Sequence, residues 1–409
     1  MSHLFAPSQN IYDAFGRLKV ASPLTLFDSS HRYRDNNLWS TLVTGAGSTY
    51  SFNQNQGLVE LTVGVGTTCQ IIRETTKVFS YQPGKGLSIN NTGVMNPPKT
   101  NLRQRIGYFG SDNGIYFELD ENTVNIVERS IVTGILSETR VPQTAWNVDT
   151  LTGVGASNPT GIKLDITKAQ IFWTDIEWLG EGSVRAGFII DGKTIHAHSF
   201  HHANKIESTY ITTASLPLRY EITNTGLTTS SSTLKQVCST VISEGGYEIR
   251  GLQQAIGTTI TSPVTLSTAG TLYSVMSLRL KTNPDRLDAI VILTAISMMG
   301  ITNNSNYNWK VIASGTTNGG NWVDAGVDSA VEYKIDGGSI TGGRTLASGY
   351  FSASNQNHAN VDILKEALFK FQLERNNLTK TPFEITLAAA ASSGNSGIHA
   401  SIDWEEISR

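Results

Sequence analysis

Three carboxylates, Asp175, Glu177 and Glu181, stand close together in the sequence, and four histidines, His196, His198, His201 and His202, follow shortly after. On a strand, alternate residues share a face about 6.6–6.8 Å apart at the Cα. Retaining glycosidases hold a carboxylic acid and a carboxylate nucleophile about 5–5.5 Å apart, so Asp175 and Glu177 could serve that chemistry. Two features oppose it: Arg185 is expected opposite Glu177, where it would hold that carboxylate ionised, and Glu181 falls in a turn. His196 and His198, with Asp175 near, could begin a metal site, but zinc takes three or four such ligands in tetrahedral geometry. A hydrogen-bonded polar sheet face accounts for the same residues without a metal, so no metal or cofactor is expected.

The elements that must position these side chains can be read from residues 169–200. Phe172, Ile176 and Trp178 alternate with Trp173, Asp175 and Glu177, the period of two that places one strand face in a core. Gly180-Glu181-Gly182 turns the chain, Val184, Ala186, Phe188 and Ile190 alternate on the return, and Asp191-Gly192 signals a two-residue type I′ hairpin. A three-residue first loop would set Trp178 opposite Val184 and Ile176 opposite Ala186. The second turn would pair Phe188 with Ile195 and Ala186 with Ala197. The outward face would then carry one row of Glu177, Arg185 and His198 and another of Asp175, Gly187 and His196.

Composition sets the outer bounds. A chain of 409 residues exceeds what one core usually serves, which predicts two domains. Charged residues make up 16%, below the roughly 25% of an average soluble protein, and Ser, Thr, Asn and Gly fill the difference, a mixture suited to short strands and turns. The net charge of −3 gives no electrostatic reason for nucleic-acid binding, and Arg103 with Arg105 is too small a basic motif to supply one. Cys69 and Cys238 read as reduced thiols rather than a disulfide scaffold. Neither a signal-peptide core nor a membrane-spanning apolar run is present in the sequence. Nucleophile elbows and Rossmann fingerprints are missing too, and Pro83-Gly84-Lys85-Gly86 reads as a turn rather than a phosphate loop.

Further strands are expected at 58–65, 70–80, 103–109, 115–119, 123–129, 130–138 and 217–222. A second series is expected at 272–281, 289–298, 308–313, 329–335, 348–353, 383–391 and 398–407. Residues 361–371 have apolar spacing for one or two helical turns that run into a strand from Phe369. Asp13-Ala14-Phe15-Gly16-Arg17-Leu18-Lys19-Val20, Ser22–Ser29, Tyr81–Gly86, Trp146–Asp149, Trp178-Leu179-Gly180, Val184–Phe188 and Cys238–Gly246 together carry a resemblance. Over residues 10–250 the chain resembles a family of virion structural proteins of tailed bacteriophages, particularly phages of aquatic bacteria. The shared motifs are distributed and name no chemistry.

These readings converge on an all-β protein of two antiparallel, jelly-roll-like sandwiches: an extended arm over residues 1–45, a large sandwich over 46–250 and a second over 251–409. What the resemblance implies is a non-enzymatic component of a virion, on tail, baseplate, fibre or capsid surface, with itself (a homotrimer) and other virion proteins as partners. Phe15 and Phe27 are the expected assembly contacts of the arm. Asp175, Glu177, Arg185, His196 and His198 form the candidate binding or assembly face. The alternative is a carbohydrate-binding protein that recognises a host-surface glycan, with weak glycosidase activity as an added option.

Overall fold

The computed structural model describes residues 20–353, 360–363 and 371–408. Strands up to Ser243 build two sheets and strands from Leu252 build the others. In the first half, one sheet runs β13 (Lys193–Phe200), β12 (Val184–Ile190), β11 (Gln170–Ile176), β6 (Leu87–Val94), β15 (Ser232–Ser243), β4 (Leu58–Val63) and β3 (Thr49–Asn53), with β1 (Leu24–Ser30) also paired to β15. The facing sheet runs β10 (Ser137–Pro142), β9 (Thr123–Ser130), β8 (Gly114–Asp120), β7 (Leu102–Phe109), β14 (Leu218–Asn224), β5 (Gln70–Thr75) and β2 (Trp39–Thr44).

The second half repeats the arrangement. One sheet holds β16 (Leu252–Gly257), β28 (Ser396–Ser408), β19 (Ile290–Gly300) and β24 (Asn360–Ile363), with β17 (Val264–Leu266) on β28. The other holds β21 (Val323–Asp324), β22 (Val331–Lys334), β18 (Tyr273–Leu280), β27 (Glu384–Ala391), β20 (Asn306–Thr317) and β23 (Ile340–Ser352). A short pair, β25 (Arg375–Asn376) and β26 (Thr381–Pro382), completes it. The expected all-β fold of antiparallel, jelly-roll-like sandwiches is therefore the fold observed.

Alternation drives the layers together. Ile89, Phe172 and Phe188 project from one sheet of the first half onto Ile106, Phe117 and Tyr220 from the other. Phe117 lies 5.6 Å from Phe172 and 5.1 Å, edge to face, from Phe188. Each buried Phe contributes about 1.5–3 kcal/mol of apolar transfer. The second core gathers Leu278, Leu293, Trp309, Leu387, Ile402 and Trp404, with Ile402 and Trp404 inward as their alternation predicts.

Several expectations are corrected. Residues 24–44 are not an arm: β1 and β2 are integral strands of the sandwich. Phe27 is buried in the core, 4.8 Å from Phe79 and 6.2 Å from Trp39, so it is no assembly contact; Phe15 lies outside the described residues. The predicted strand over 130–138 is instead mostly a turn, and the chain re-enters the sheet at Ser137 because Ser137 to Pro142 pair back onto β9. Asn360–Ile363 is a strand on β19 rather than the start of a helical turn, with 364–370 outside the described residues. β6 was not predicted at all, although it lies between β11 and β15 in its sheet.

Candidate functional site

The outward face of β11, β12 and β13 carries the candidate residues, in a register two residues from the expected one. Ile176 pairs with Val184 and Asp175 with Arg185. The loop between β11 and β12 is longer than three residues, with the Glu177 N–H donating to Ser183 O at 3.1 Å and Gly182 N–H to Trp178 O at 2.7 Å. Arg185 therefore pairs with the Asp175 carboxylate and not with Glu177. Arg185 also lies over the Trp173 ring, 5.8 Å from its centroid. Glu177 is exposed on the rim, with its Oε2 accepting from the Ser183 N–H at 3.5 Å.

The Asp191-Gly192 turn forms as expected, with φ of 50° and 72°, the two positive values of a type I′ hairpin. Beyond it Phe188 pairs with Ile195, but a bulge at Ala197 sets Ala186 opposite His198 and Arg185 opposite Ser199. The extra residue changes the side on which everything after it points. His196 stays outward beside Trp173, whereas His198 turns to the core side with Phe200, 4.6 Å away edge to face. His198 Nδ1 accepts the Asn147 N–H at 3.3 Å. Burial, with His196 nearby, holds the His198 imidazole down at about 4, so it is neutral at pH 7. His198 is thus removed from the candidate face. His196 lies with its Nε2 2.8 Å from Ser199 Oγ, and burial keeps its imidazole below the ordinary histidine range.

Asp175, Glu177, Arg185 and His196 line a cleft of about 700 Å³. Tyr81, Gly84, Lys85 and Gly86, from the segment that leads into β6 beside β11, also line it, as does Glu244, just past the end of β15 with its N–H donating to Gly86 O at 2.9 Å. Tyr81, Val148 and Leu179 give the cleft apolar contact surface. The Tyr81 hydroxyl accepts the backbone N–H groups of Trp178 and Leu179, each at 3.3 Å, which ties the hairpin tip to that segment. Lys85 lines the cleft with its Nζ donating to Gln82 Oε1 at 3.0 Å. Gly86 is the close point: a methyl group there would lie 2.7 Å from Glu244 Oε2 and 3.4 Å from Asp175 Oδ1, so both carboxylates face one spot. Burial, then repulsion from Asp175, raises the Glu244 carboxyl above its ordinary value.

Tyr81, Lys85, Glu244 and His201 belong to the cleft but not to the predicted face. The Tyr81–Gly86 run was legible only as a turn, and nothing local to Glu244 announces that β15 delivers it beside Asp175. Among the described residues no three His, Cys, Asp or Glu side chains are grouped to hold a metal ion. Of the Arg103–Arg105 motif, Arg105 is taken up by the fold: its guanidinium meets Glu118 at 2.8 Å, Glu138 at 3.3 Å and Glu221 at 3.5 Å. Cys69 and Cys238 are both free thiols, and no helix among the described residues is long and apolar enough to cross a membrane.

The sequence matches no family model and no curated protein. Its fold is similar over about half of the chain to several solved structures. A family 16 glycoside hydrolase of a mixed-linkage glucan locus from Bacteroides ovatus shares 9% identity over 53% of this chain and 99% of its own, with a TM-score of 0.36. A carbohydrate esterase of the Shiga toxin-encoding bacteriophage phi24B shares 11% over 55% and 100%, with a TM-score of 0.31. The carbohydrate recognition domain of Emp47p shares 11% over 54% and 95%, with a TM-score of 0.32. No site residue is carried over from these structures.

Proposed function

We propose that this chain is a component of a bacteriophage particle that recognises a carbohydrate in the cleft lined by β11–β13 and the Tyr81–Gly86 segment. The cleft itself carries the reading. Carboxylate acceptors (Asp175, Glu177, Glu244), cationic donors (Arg185, Lys85) and an apolar wall (Tyr81, Val148, Leu179) converge on about 700 Å³. Sugars present hydroxyls on a ring with apolar faces, and pockets that take them combine placed polar groups with apolar or aromatic surface. The distributed motifs of residues 10–250 support the particle setting.

Binding rather than cleavage is the proposed role. Asp175 is ion-paired to Arg185, and Glu177 is exposed, beyond the end of β11, so the two carboxylates do not form the facing acid and nucleophile pair that cleavage uses. The test is a glycan array probed with the full chain, with Glu177→Ala and Arg185→Ala alongside. Binding of at least one glycan class, weakened about tenfold or more in each variant, is the expected result. No binding above background, or binding unaffected by both substitutions, would overturn the cleft as its site.

A further inference from the structure

His202 lies two residues past the end of β13, buried, and touches both sheets of the first half. Its Nδ1 is 2.6 Å from the carbonyl of Gly182, in the hairpin tip between β11 and β12. Its Nε2 is 2.9 Å from Glu128 Oε2 on β9 of the facing sheet. Both neighbours are acceptors, and a neutral imidazole has only one N–H to give. The arrangement therefore holds one more proton than a neutral His202 beside an ionised Glu128 provides. The ring is stacked on Tyr210 at 4.0 Å with 7° between planes, and His202 is nearly buried, so water cannot readily replace either bond.

The segment that carries Tyr210 grips the same hairpin tip. Tyr210 N–H donates to Gly180 O at 2.9 Å, the Tyr210 hydroxyl to Glu177 O at 3.3 Å, and Trp178 Nε1 to Ile211 O at 3.2 Å. Glu177, Leu179 and Ser183 of that tip line the cleft, and His201 beside His202 lies 3.1 Å from Ser183 Oγ. The charged and titratable groups around the His202 ring are Glu128 from β9, Tyr210 beneath it and Lys205 in the following turn.

We infer that His202 is a proton-controlled latch on the wall of the cleft: as imidazolium it ties the hairpin tip to Glu128, and as neutral imidazole it releases one of the two ends. The inference rests on the carbohydrate reading only for the consequence that ligand binding follows the state of the latch. Burial works against protonation of His202, but the Glu128 carboxylate and the Gly182 carbonyl outweigh it and raise its value above the ordinary one. A histidine raised on folding contributes stability that is complete below its unfolded value of about 6.5 and is lost as pH climbs through the folded value. The tip is therefore held on the acid side and loosened on the alkaline side.

The experiment is hydrogen–deuterium exchange of the full chain, following the peptide over residues 177–183 between about pH 5 and pH 9, corrected for intrinsic exchange. Protection in the wild type is expected to fall about tenfold across the step. In His202→Gln it should be low and flat, and in Glu128→Gln the step should move to lower pH. A wild type without a step, or a step that survives His202→Gln, overturns the latch. If His202→Gln does not fold, Glu128→Gln decides, and an unmoved step is the overturning result. No ligand enters this measurement, so it separates the two readings. An intact step without glycan binding sinks only the sugar reading, and glycan binding without a step sinks only the latch.

Discussion

Glu138 on β10 shows how single residues neutralise the outer face of the second sheet. It accepts from the Tyr116 hydroxyl at 2.6 Å and from Arg129 Nη2 at 2.6 Å, with Arg105 at 3.3 Å and Arg140 also paired to it. Burial alone would raise its carboxyl, but the Tyr116 and Arg129 hydrogen bonds and the cations around it bring it down to about 2. A carboxylate depressed on folding adds stability that is complete above its unfolded value and disappears as pH falls through the folded one. Stability should therefore decline between about 4.5 and about 2 in the wild type. Glu138→Gln should flatten that slope and cost about 2 kcal/mol at neutral pH, the range for hydrogen bonds to charged groups. Urea midpoints measured down the acid limb check both; an unchanged slope in the variant would assign the acid sensitivity to other carboxylates.

Two glycines separate what the strands need from what the cleft needs. A Cβ on Gly187 would meet the Ile195 carbonyl at 2.0 Å, a backbone atom held by the bulge that orients His196 and His198. Gly187→Ala should therefore destabilise by about 3 kcal/mol or more, the cost of forcing backbone and core apart. At Gly86 the added methyl would meet the mobile end of Glu244, so Gly86→Ala should keep its melting temperature within a few degrees while losing glycan binding. Calorimetry and the glycan array on the two variants read the contrast directly. Much of this architecture was legible: Phe172, Phe188, Ile195 and the Asp191-Gly192 turn fixed a three-stranded meander. The register slip of two was invisible because a shift by a whole period leaves the apolar face unchanged. The bulge did leave a mark, since Phe200 is inward but out of phase with Ile195 and Ala197. β6 was hidden because two of its four inward positions are Asn91 and Gly93, which give no apolar signal. Of the candidate face, Asp175, Glu177, Arg185 and His196 meet in one cleft. Glu244 was beyond reach because contact between distant strands leaves no local pattern.

At the scale of the whole molecule, the two halves are joined through Arg375. Its side chain is 1% exposed; Nη2 donates to Glu74 at 3.2 Å and Asp288 at 2.9 Å, and Nη1 to the Thr75 carbonyl, while its backbone N–H donates to Thr76 O at 2.9 Å. Gln372 adds a bond to the Val78 carbonyl at 3.0 Å, and Val78 packs against Ile290 and Ile292. Arg375→Met would leave the buried Glu74 carboxylate only the longer pair with Arg219, at 3.8 Å, a loss of about 3 kcal/mol. Scanning calorimetry should then show the two halves melting separately, and a single unshifted transition would contradict the coupling. The strand order has a consequence of another kind. In each half the last two long strands in the chain sit in the middle of the two sheets: β14 joins β5 to β7, β15 joins β4 to β6, β27 joins β18 to β20, and β28 joins β16 to β19. The facing sheet of the first half stays in two unjoined fragments until β14 is made, at residue 224, and the other sheet stays in three (β13–β6, β4–β3 and β1 alone) until β15 is made, at residue 243; the second half repeats the interval up to β28. Such long-range closure slows folding and leaves strand edges exposed to neighbouring nascent chains. Synthesis rate and chaperone cover, more than final stability, then set how much of this protein reaches its native state.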